Sequence, residues 1–562
     1  MKINTHYFRI IGEMLLGITL GLLVFLYVYG RYPLYFSNVY WLYNQEGDSI
    51  LHQIGWEWFR QEPWQFPIGH ISDYGYPFGT SIYFTDSIPL LAIPFKLFSP
   101  LLSTHFQYLG LWELISICGQ IIIGLFILKE FTPSIIKRTV GSLLLTFSPP
   151  LFMRSFGHAS LTAHWIILTA IWLVILEFKG KSKSWAWIPL FAIVTLVHPY
   201  FLPMIAPFWI INCYFQTKKE KNLKKLVIQN LSIGIVMLLL LFSLGVFSIG
   251  FNQLKESGYD YFSWNLNDFI NPFGNSTFLK GLPLGTSGQY EGYSYLGLGV
   301  ISILPIAMIT YFQKDFKRRH LSFLIPVAIA AIILGIFSLS NKVYFGDHLL
   351  WEIPLSQETL HFLSIFRASG RFIWPAFYLI ILFVIISIIR NYRFSSVIIL
   401  LALIIQIIDL QPQIAKKKFT SFMDYHPKLQ AEFWQDVAAS NEHIVILPTT
   451  DPWKGYEPVA LFAKENQMTL NWGYFARSNS SQMEEYAEGI WQDLTIGSAD
   501  NQTIYFFWDS NISNQANDLL SDKMFLCTVD GYPIAFSADN QLTNTNSQLS
   551  DYCSIPVGLT KE

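Results

Sequence analysis

Asp48 lies in the run Asn44-Gln45-Glu46-Gly47-Asp48-Ser49-Ile50-Leu51-His52, directly after the first apolar stretch, and a carboxylate there is a candidate general base. If residues 48–58 are helical, Asp48 and His52 stand one turn apart on one face. An acid and an imidazole so placed can share a proton transfer or hold a metal ion. The surrounding segment 31–87 adds Glu46, Glu57, Glu62, Asp73 and Asp86, interleaved with Trp56, Trp58, Trp64, Tyr74, Tyr76 and Tyr83. Aromatics beside polar groups suit stacking on sugar rings, which makes Trp56 and Asp86 candidates for substrate contact. The alternative is a solvated loop whose aromatics mark a membrane interface.

Two further groups of ionisable residues stand at the ends of apolar runs. Arg154, Gly157-His158 and His164 surround a turn between two such runs, and His198 precedes Pro199 at another. If the helices pack as a bundle, these groups converge on one chamber, where His158 and His164 could meet substrate. The alternative is that each histidine satisfies a backbone carbonyl or sits among headgroups. Arg367-Ala368-Ser369-Gly370-Arg371 leads into the apolar run 373–389. Cations at a helix N-terminus are disfavoured by the dipole, so two arginines there make sense with an anion between them. Guanidinium suits phosphate through its bidentate fork. Arg367, Arg371 and His198 are therefore candidates for phosphate binding, against the alternative of arginines snorkelling to headgroups.

Other chemistries leave no trace. Gly281, Gly285 and Gly288 are too loosely spaced for a phosphate loop, and no Walker A, nucleophile elbow or HExxH occurs. No Cys/His spacing resembles a zinc site. Asp409 is the main charge expected near the outer end of a span, and such scarcity weakens an ion-coupled transporter.

The elements that must position these residues are membrane spans. Of 562 residues, 52% are hydrophobic, 17% aromatic and only 14% charged, and mean hydropathy is +0.36. Soluble domains carry about 25% charged residues, so the composition is that of a bilayer protein. A net charge of −2 removes the case for nucleic-acid binding. Apolar runs occupy 9–29, 106–128, 139–156, 161–178, 185–198, 199–215, 226–250, 293–312, 321–339, 373–389 and 395–410. Basic loops alternate with them: Lys2 and Arg9; Lys129, Lys137 and Arg138; Lys179, Lys181 and Lys183; Lys218, Lys219, Lys221, Lys224 and Lys225; Lys314, Lys317, Arg318 and Arg319; Arg390 and Arg393. The positive-inside rule makes these cytoplasmic, which requires about eleven crossings, the N-terminus inside and the C-terminus outside. The proline-rich segment 87–102 reads as a re-entrant or interfacial piece.

Segments 31–87, 252–292 and 340–372 then face outward, with everything beyond 410. That last part is polar and alternates strand-like runs (443–447, 524–527) with helix-like ones (427–440, 481–495), the pattern of an α/β domain. The expected division is thus a transmembrane domain over 1–410 and an extracytoplasmic α/β domain over 411–562. The triplet Asn479-Ser480-Ser481 is a glycosylation pattern of little weight. Cys118 and Cys213 lie in apolar runs; Cys527 and Cys553 lie in the polar part, where a disulfide and two free thiols are equally open readings.

The stretches YNQEGDSILHQIGWEWF, FGTSIYFTDSIPLLAIPFKLFSP, RSFGHASLTAHW and FRASGRFIWP resemble bacterial members of the GT-C superfamily of membrane glycosyltransferases, over roughly residues 1–410. The resemblance implies transfer of a sugar from a polyprenyl-phosphate carrier to a glycan or other cell-envelope acceptor at the outer face of the membrane. It implies Asp48 as the first-loop acid, with His52 beside it. The family's frequent paired acid is missing, since Glu46-Gly47 precede Asp48, so no cofactor is expected and a divalent metal is left open. The double-tryptophan acidic signature of oligosaccharyltransferases is also missing. In the implied mechanism Asp48 takes the acceptor proton and Arg371, with Arg367 or His198, stabilises the departing phosphate, inverting the anomeric centre. The competing readings are a lipid or polysaccharide flippase, with His198-Pro199 and 87–102 as broken helices, and a non-catalytic envelope-assembly scaffold.

Overall fold

The computed structural model describes residues 2–554 apart from 45–46, 221, 250–257, 314–317, 449–454, 479, 509, 521–523 and 546–548. Gln45, Glu46, Lys221, Lys314, Lys317 and Asn479, named above from the sequence, lie outside the described residues. The chain forms two compact units. A helical unit comprises Met1–Val39, Ser103–Leu240 and Lys255–Phe422, and a sheet unit comprises Tyr40–Leu102, Leu241–Leu254 and Met423–Glu562. The linear division expected at 410 leaves the outward segment 31–87 with the membrane domain. The structure instead builds most of it into the same unit as the C-terminal α/β region.

The helical unit is that of a membrane protein. Among the described residues five helices are long and apolar enough to cross a bilayer: Tyr7–Tyr29, Leu109–Lys129, Ala159–Phe178, Leu223–Ser243 and Ser369–Asn391. A sixth is reached if Ser395–Asp409 and Gln411–Lys417, bent by 56°, count as one span. Several expected runs come out shorter. Run 139–156 is two helices, Ile135–Thr146 and Pro149–Arg154, because Pro149 and Pro150 supply no N–H and force Ser148 out of the helical region (ψ 123°). The helix Trp187–Val197 stops at His198, whose backbone is extended ahead of Pro199. At 11 residues it is about 16 Å long, half a hydrocarbon core.

Buried polar side chains tie this apolar bundle together. Asp409 is fully buried and accepts from Ser276, from the Tyr295 hydroxyl (2.8 Å) and from the Leu298 backbone N–H (3.0 Å), so it fastens the stretch from Ser276 to Leu298 to the end of a helix. Glu113, wholly buried in Leu109–Lys129, accepts from the backbone N–H of Phe156 at 3.0 Å.

The sheet unit is α/β. Its strands are β1 (His443–Leu447), β2 (Thr469–Leu470), β3 (Thr503–Phe507), β4 (Met524–Val529), β5 (Tyr532–Ser537) and β6 (Cys553–Ser554), in the order β6-β4-β5-β3-β1-β2. β1 pairs in parallel with β2 and β3, and the remaining pairs are antiparallel. The central strands are buried on both faces, so their sequences are continuous apolar runs rather than alternating ones. Val445, Leu447, Tyr505 and Phe507 pack with Leu494, Ala516 and Leu520 of the helices Ser480–Ile496 and Ser510–Leu520. On the other face Trp434, in Phe433–Ser440, stacks on Phe506 at 5.7 Å.

The early segment joins this sheet at its β2 edge. The Leu470 N–H donates to the Asp73 carbonyl (2.9 Å) and the Gly75 N–H to the Leu470 carbonyl (2.8 Å), lengthening the edge by one bridge. Tyr74 stacks on Trp58 at 5.1 Å and its hydroxyl meets that of Tyr456 at 3.1 Å. Gly473 is required there, since a Cβ would lie 2.5 Å from the Tyr74 ring. The segment 87–102 forms a nine-residue helix, Pro89–Leu97, too short to cross a membrane, with Leu97, Phe98 and Leu101 exposed.

Cys527 and Cys553 are disulfide-bonded across the register pair of β4 and β6, closing a loop with a sequence separation of 26. Cys118 and Cys213 are free thiols. Replacing both bonded cysteines by serine is expected to lower the stability of this unit by about 3 kcal/mol. Denaturant titration of the full chain, followed by tryptophan emission, measures it; an unchanged midpoint would contradict the bond.

Candidate functional site

Clusters of ionisable residues occur in both units. One in the sheet unit is built on the helix Asp48–Gln61. Gly47, at φ 95°, turns the chain into the helix, and Asp48 in the first turn complements the exposed N–H groups. Arg60 in the last turn complements the exposed carbonyls at the other end. Asp48 is half-buried, whereas His52 one turn on is 2% exposed. The expected helix over 48–58 is present, with both residues on it.

Asp86 reaches this helix through a tight turn. The His52 carbonyl accepts from the Ser87 hydroxyl at 2.7 Å, and Ser87 in turn meets Thr85 at 2.8 Å. Gly55 permits the approach, because a Cβ there would fall 2.3 Å from Thr85. Asp86 and Ile88 both adopt positive φ, 55° and 54°. That region is disfavoured for side-chain-bearing residues, most of all β-branched ones, and such strain collects at functional sites. An imidazole nitrogen of His52 and a carboxylate oxygen of Asp86 lie within 4.8 Å of each other. The pair can pass a proton or supply two ligands to a divalent cation.

The helix is held from behind by Glu57. Its carboxylate accepts from Tyr43, from Gln53 Nε2 at 2.8 Å, and pairs with Lys464 at 3.2 Å, all of these groups being buried. Lys464 lies on the helix Glu457–Glu465 of the C-terminal region. Trp56 is 1% exposed and belongs to the core of the unit. A ring that stacks on a sugar needs an open face, so Trp56 fills volume here. Trp64 is the exposed tryptophan of this segment, at 51%.

In the helical unit a cluster centres on Glu291, which no sequence pattern singled out. Its carboxylate receives Arg371 Nε at 2.7 Å and Nη2 at 3.0 Å, a fork, while Arg154 Nη2 donates to it at 2.5 Å and to the Glu291 carbonyl at 3.2 Å. Two glycines make this possible. Gly370, beside Arg371, would bring a Cβ within 2.7 Å of the Gly292 backbone, and Gly292 within 2.8 Å of Trp264. Only bare backbone lets the turns Ser287–Gly292 and Ser369–Ile373 touch.

The anion expected beside Arg371 is thus supplied by the protein itself. Arg367 takes another place: its guanidinium lies over Phe262 at 5.5 Å, whereas that of Arg371 lies over Tyr200 at 4.5 Å. Burial pushes the Glu291 carboxyl up, but Arg154 and Arg371 push it down further, well below the ordinary carboxylate value. Two guanidinium groups on one carboxylate leave a surplus positive charge in a buried place.

The expected convergence of histidines is met by His158 and His198. Their Nε2 atoms face each other at 3.2 Å, and the Tyr200 N–H donates to His198 Nδ1 at 3.2 Å. Neutral His198 therefore carries its proton on Nε2 and gives it to His158. His164 stands apart: it is fully buried, its Nδ1 meets the Tyr378 hydroxyl at 2.7 Å, and its ring lies against Trp374 at 4.6 Å. Tyr378 also meets Ser148 at 3.0 Å, so His164 belongs to a packing network instead of a substrate-facing surface.

Glu291 was legible only indirectly. It is a lone acid in the aromatic run Tyr290-Glu291-Gly292-Tyr293, and arginines at a helix start signalled that an anion was owed somewhere. Glu291→Gln is expected to destabilise the protein by about 3–5 kcal/mol, because two buried guanidinium groups lose their counter-charge. With its folded value depressed, the carboxylate contributes fully at neutral pH and its contribution fades only as pH falls below the ordinary carboxylate range. Thermal unfolding of both proteins from neutral to acid pH measures the gap, which should close only in acid.

Residues 18–411 match DUF6311, described as a domain of unknown function, and residues 433–537 match the DUF6311 C-terminal domain. No curated protein matches the chain.

Proposed function

The chain belongs to the DUF6311 family, and for it we propose a membrane glycosyltransferase of the GT-C kind, moving a sugar from a polyprenyl-phosphate carrier to a cell-envelope acceptor. The observation that carries this reading is the buried Arg154–Glu291–Arg371 cluster beside the His158–His198 pair, in a unit of apolar helices. A lipid-linked phosphate delivers a mobile acyl chain and an anion together, and an apolar bundle holding surplus guanidinium charge suits both. Arg371 is already fixed by its fork to Glu291, so it offers charge without having to be ordered when a phosphate departs.

In the proposed reaction Asp48 accepts the proton of an acceptor hydroxyl, which attacks the anomeric carbon as the carrier phosphate leaves. The attack is in line, so the anomeric centre inverts. Arg371, with His198 or Arg367, stabilises the negative charge on the leaving phosphate. Asp86, with a carboxylate oxygen within 4.8 Å of a His52 nitrogen, binds the acceptor. The strained backbone at Asp86 and Ile88 supports a role beyond packing for this corner.

The reaction takes place at the outer face of a cell membrane in this reading. The Cys527–Cys553 disulfide supports an oxidising compartment for the sheet unit, and the lysine-rich loops support the opposite side for their own ends. The shorter apolar helices Ser184–Val197, Leu298–Tyr311 and Ile325–Leu339 would then raise the number of crossings toward the eleven that the charge pattern demands.

The test is sugar release from a radiolabelled polyprenyl-phosphate hexose by purified protein. Asp48→Asn should reduce transfer by about 10²–10⁴-fold while thermal unfolding stays within about 1 kcal/mol of wild type. Transfer near the wild-type rate would remove Asp48 from this role.

A further inference from the structure

The basic loops leave a second polar place in the helical unit, built from other elements than the Glu291 cluster. A cavity of about 930 Å³ opens among the N-terminal part of the helix Lys2–Tyr29, the end of Leu109–Lys129 and the start of Ile135–Thr146. Arg9, Lys129, Arg138 and Lys181 line it against the carboxylates Glu13 and Glu130. Glu13 pairs with Lys129 at 2.7 Å and with Arg138 at 2.8 Å, and Glu130 pairs with Lys181 at 2.7 Å. Four cations facing two acids leave the wall positive.

Three observations indicate the ligand that this wall receives. Arg138 lines the cavity with one guanidinium nitrogen, Nη1, held by Glu13 at 2.8 Å, and the fork geometry of this group matches a phosphate. Gly12 leaves open space, since nothing lies within 4 Å of a Cβ built there. Phe8, Ile11 and Leu15 on the same helix are exposed and apolar, at 69%, 52% and 58%, the surface an acyl chain covers in a bilayer.

We propose that this cavity binds a phosphate-bearing anion, with Arg138 and Arg9 as its donors and Glu13 as the group that orients Arg138. The site is independent of the proposed sugar transfer. Its phosphate comes from a phospholipid headgroup or from free phosphate, and the two sources separate experimentally.

The experiment uses the full chain in detergent and follows the unfolding temperature during titration with phosphatidylglycerol, phosphatidylcholine or inorganic phosphate. Wild type, Arg9→Gln and Gly12→Trp are compared; Gly12 lines the cavity and a Cβ there meets no neighbour, and Arg9 is exposed, so neither substitution removes a partner of the Glu13 pairs. Stabilisation by phosphatidylglycerol over phosphatidylcholine, weakened about tenfold in half-saturation by each variant, supports the site with a lipid source. The same weakening with inorganic phosphate supports it with a free anion. No stabilisation by either, or titrations that the two variants leave unchanged, overturns it.

Discussion

A carboxylate placed where water is scarce must be given cations or hydrogen-bond donors by the protein, and the fold around Glu291 is organised by that requirement. The desolvation cost of one charge is offset only if several donors converge with good geometry. Here the donors come from the end of Pro149–Arg154 and from the turn Ser369–Ile373, with Glu291 itself on Ser287–Gly292. Three segments far apart in sequence are therefore fixed at one point. The neighbouring backbones must be glycine to come so close, and the imidazole pair and Tyr200 take their positions around that junction. The same principle recurs at Glu13 with Lys129 and Arg138, and at Glu57 with Lys464.

Much of the fold could be read from composition and pattern. Low charge and long apolar runs identified the membrane helices, and the polar, strand-bearing tail identified the α/β region. Helix 48–58 and the meeting of His158 with His198 also followed from spacing and from loop order. The shortfalls have physical reasons. Run 139–156 is apolar throughout, yet two adjacent prolines divide it, and apolarity alone says nothing of backbone breaks. Trp56 looked like a stacking residue because it neighbours acids in sequence, but the acids and the ring point to different surroundings once the helix is packed. Glu13 and Glu113 passed unnoticed because single acids inside apolar runs reveal their cost only when their partners, here on other segments, are known.

The segment Tyr40–Leu102 alters the meaning of the C-terminal region. A separate soluble appendage would carry its own hydrophobic core and leave the first outward loop to itself. Instead the loop donates an extra bridge to the sheet edge at Tyr74, lends Trp58 and Tyr74 to its packing, and places Glu57 against Lys464. The C-terminal region is thus the rigid support of the helix that bears Asp48 and His52, and rigid elements position reactive side chains better than loops do.

That arrangement sets a constraint on biosynthesis. Tyr74 and Tyr456 bond across 382 positions of chain, and Asn44 and Asp424 across 380. The ribosome therefore releases the helix Asp48–Gln61 long before the surface that shelters its tryptophans exists. Contacts of such sequence separation close slowly. The nascent protein spends most of its synthesis with an incomplete half-domain waiting for its final quarter, a period in which the flanking apolar helices and any folding helper must keep those rings from the wrong company.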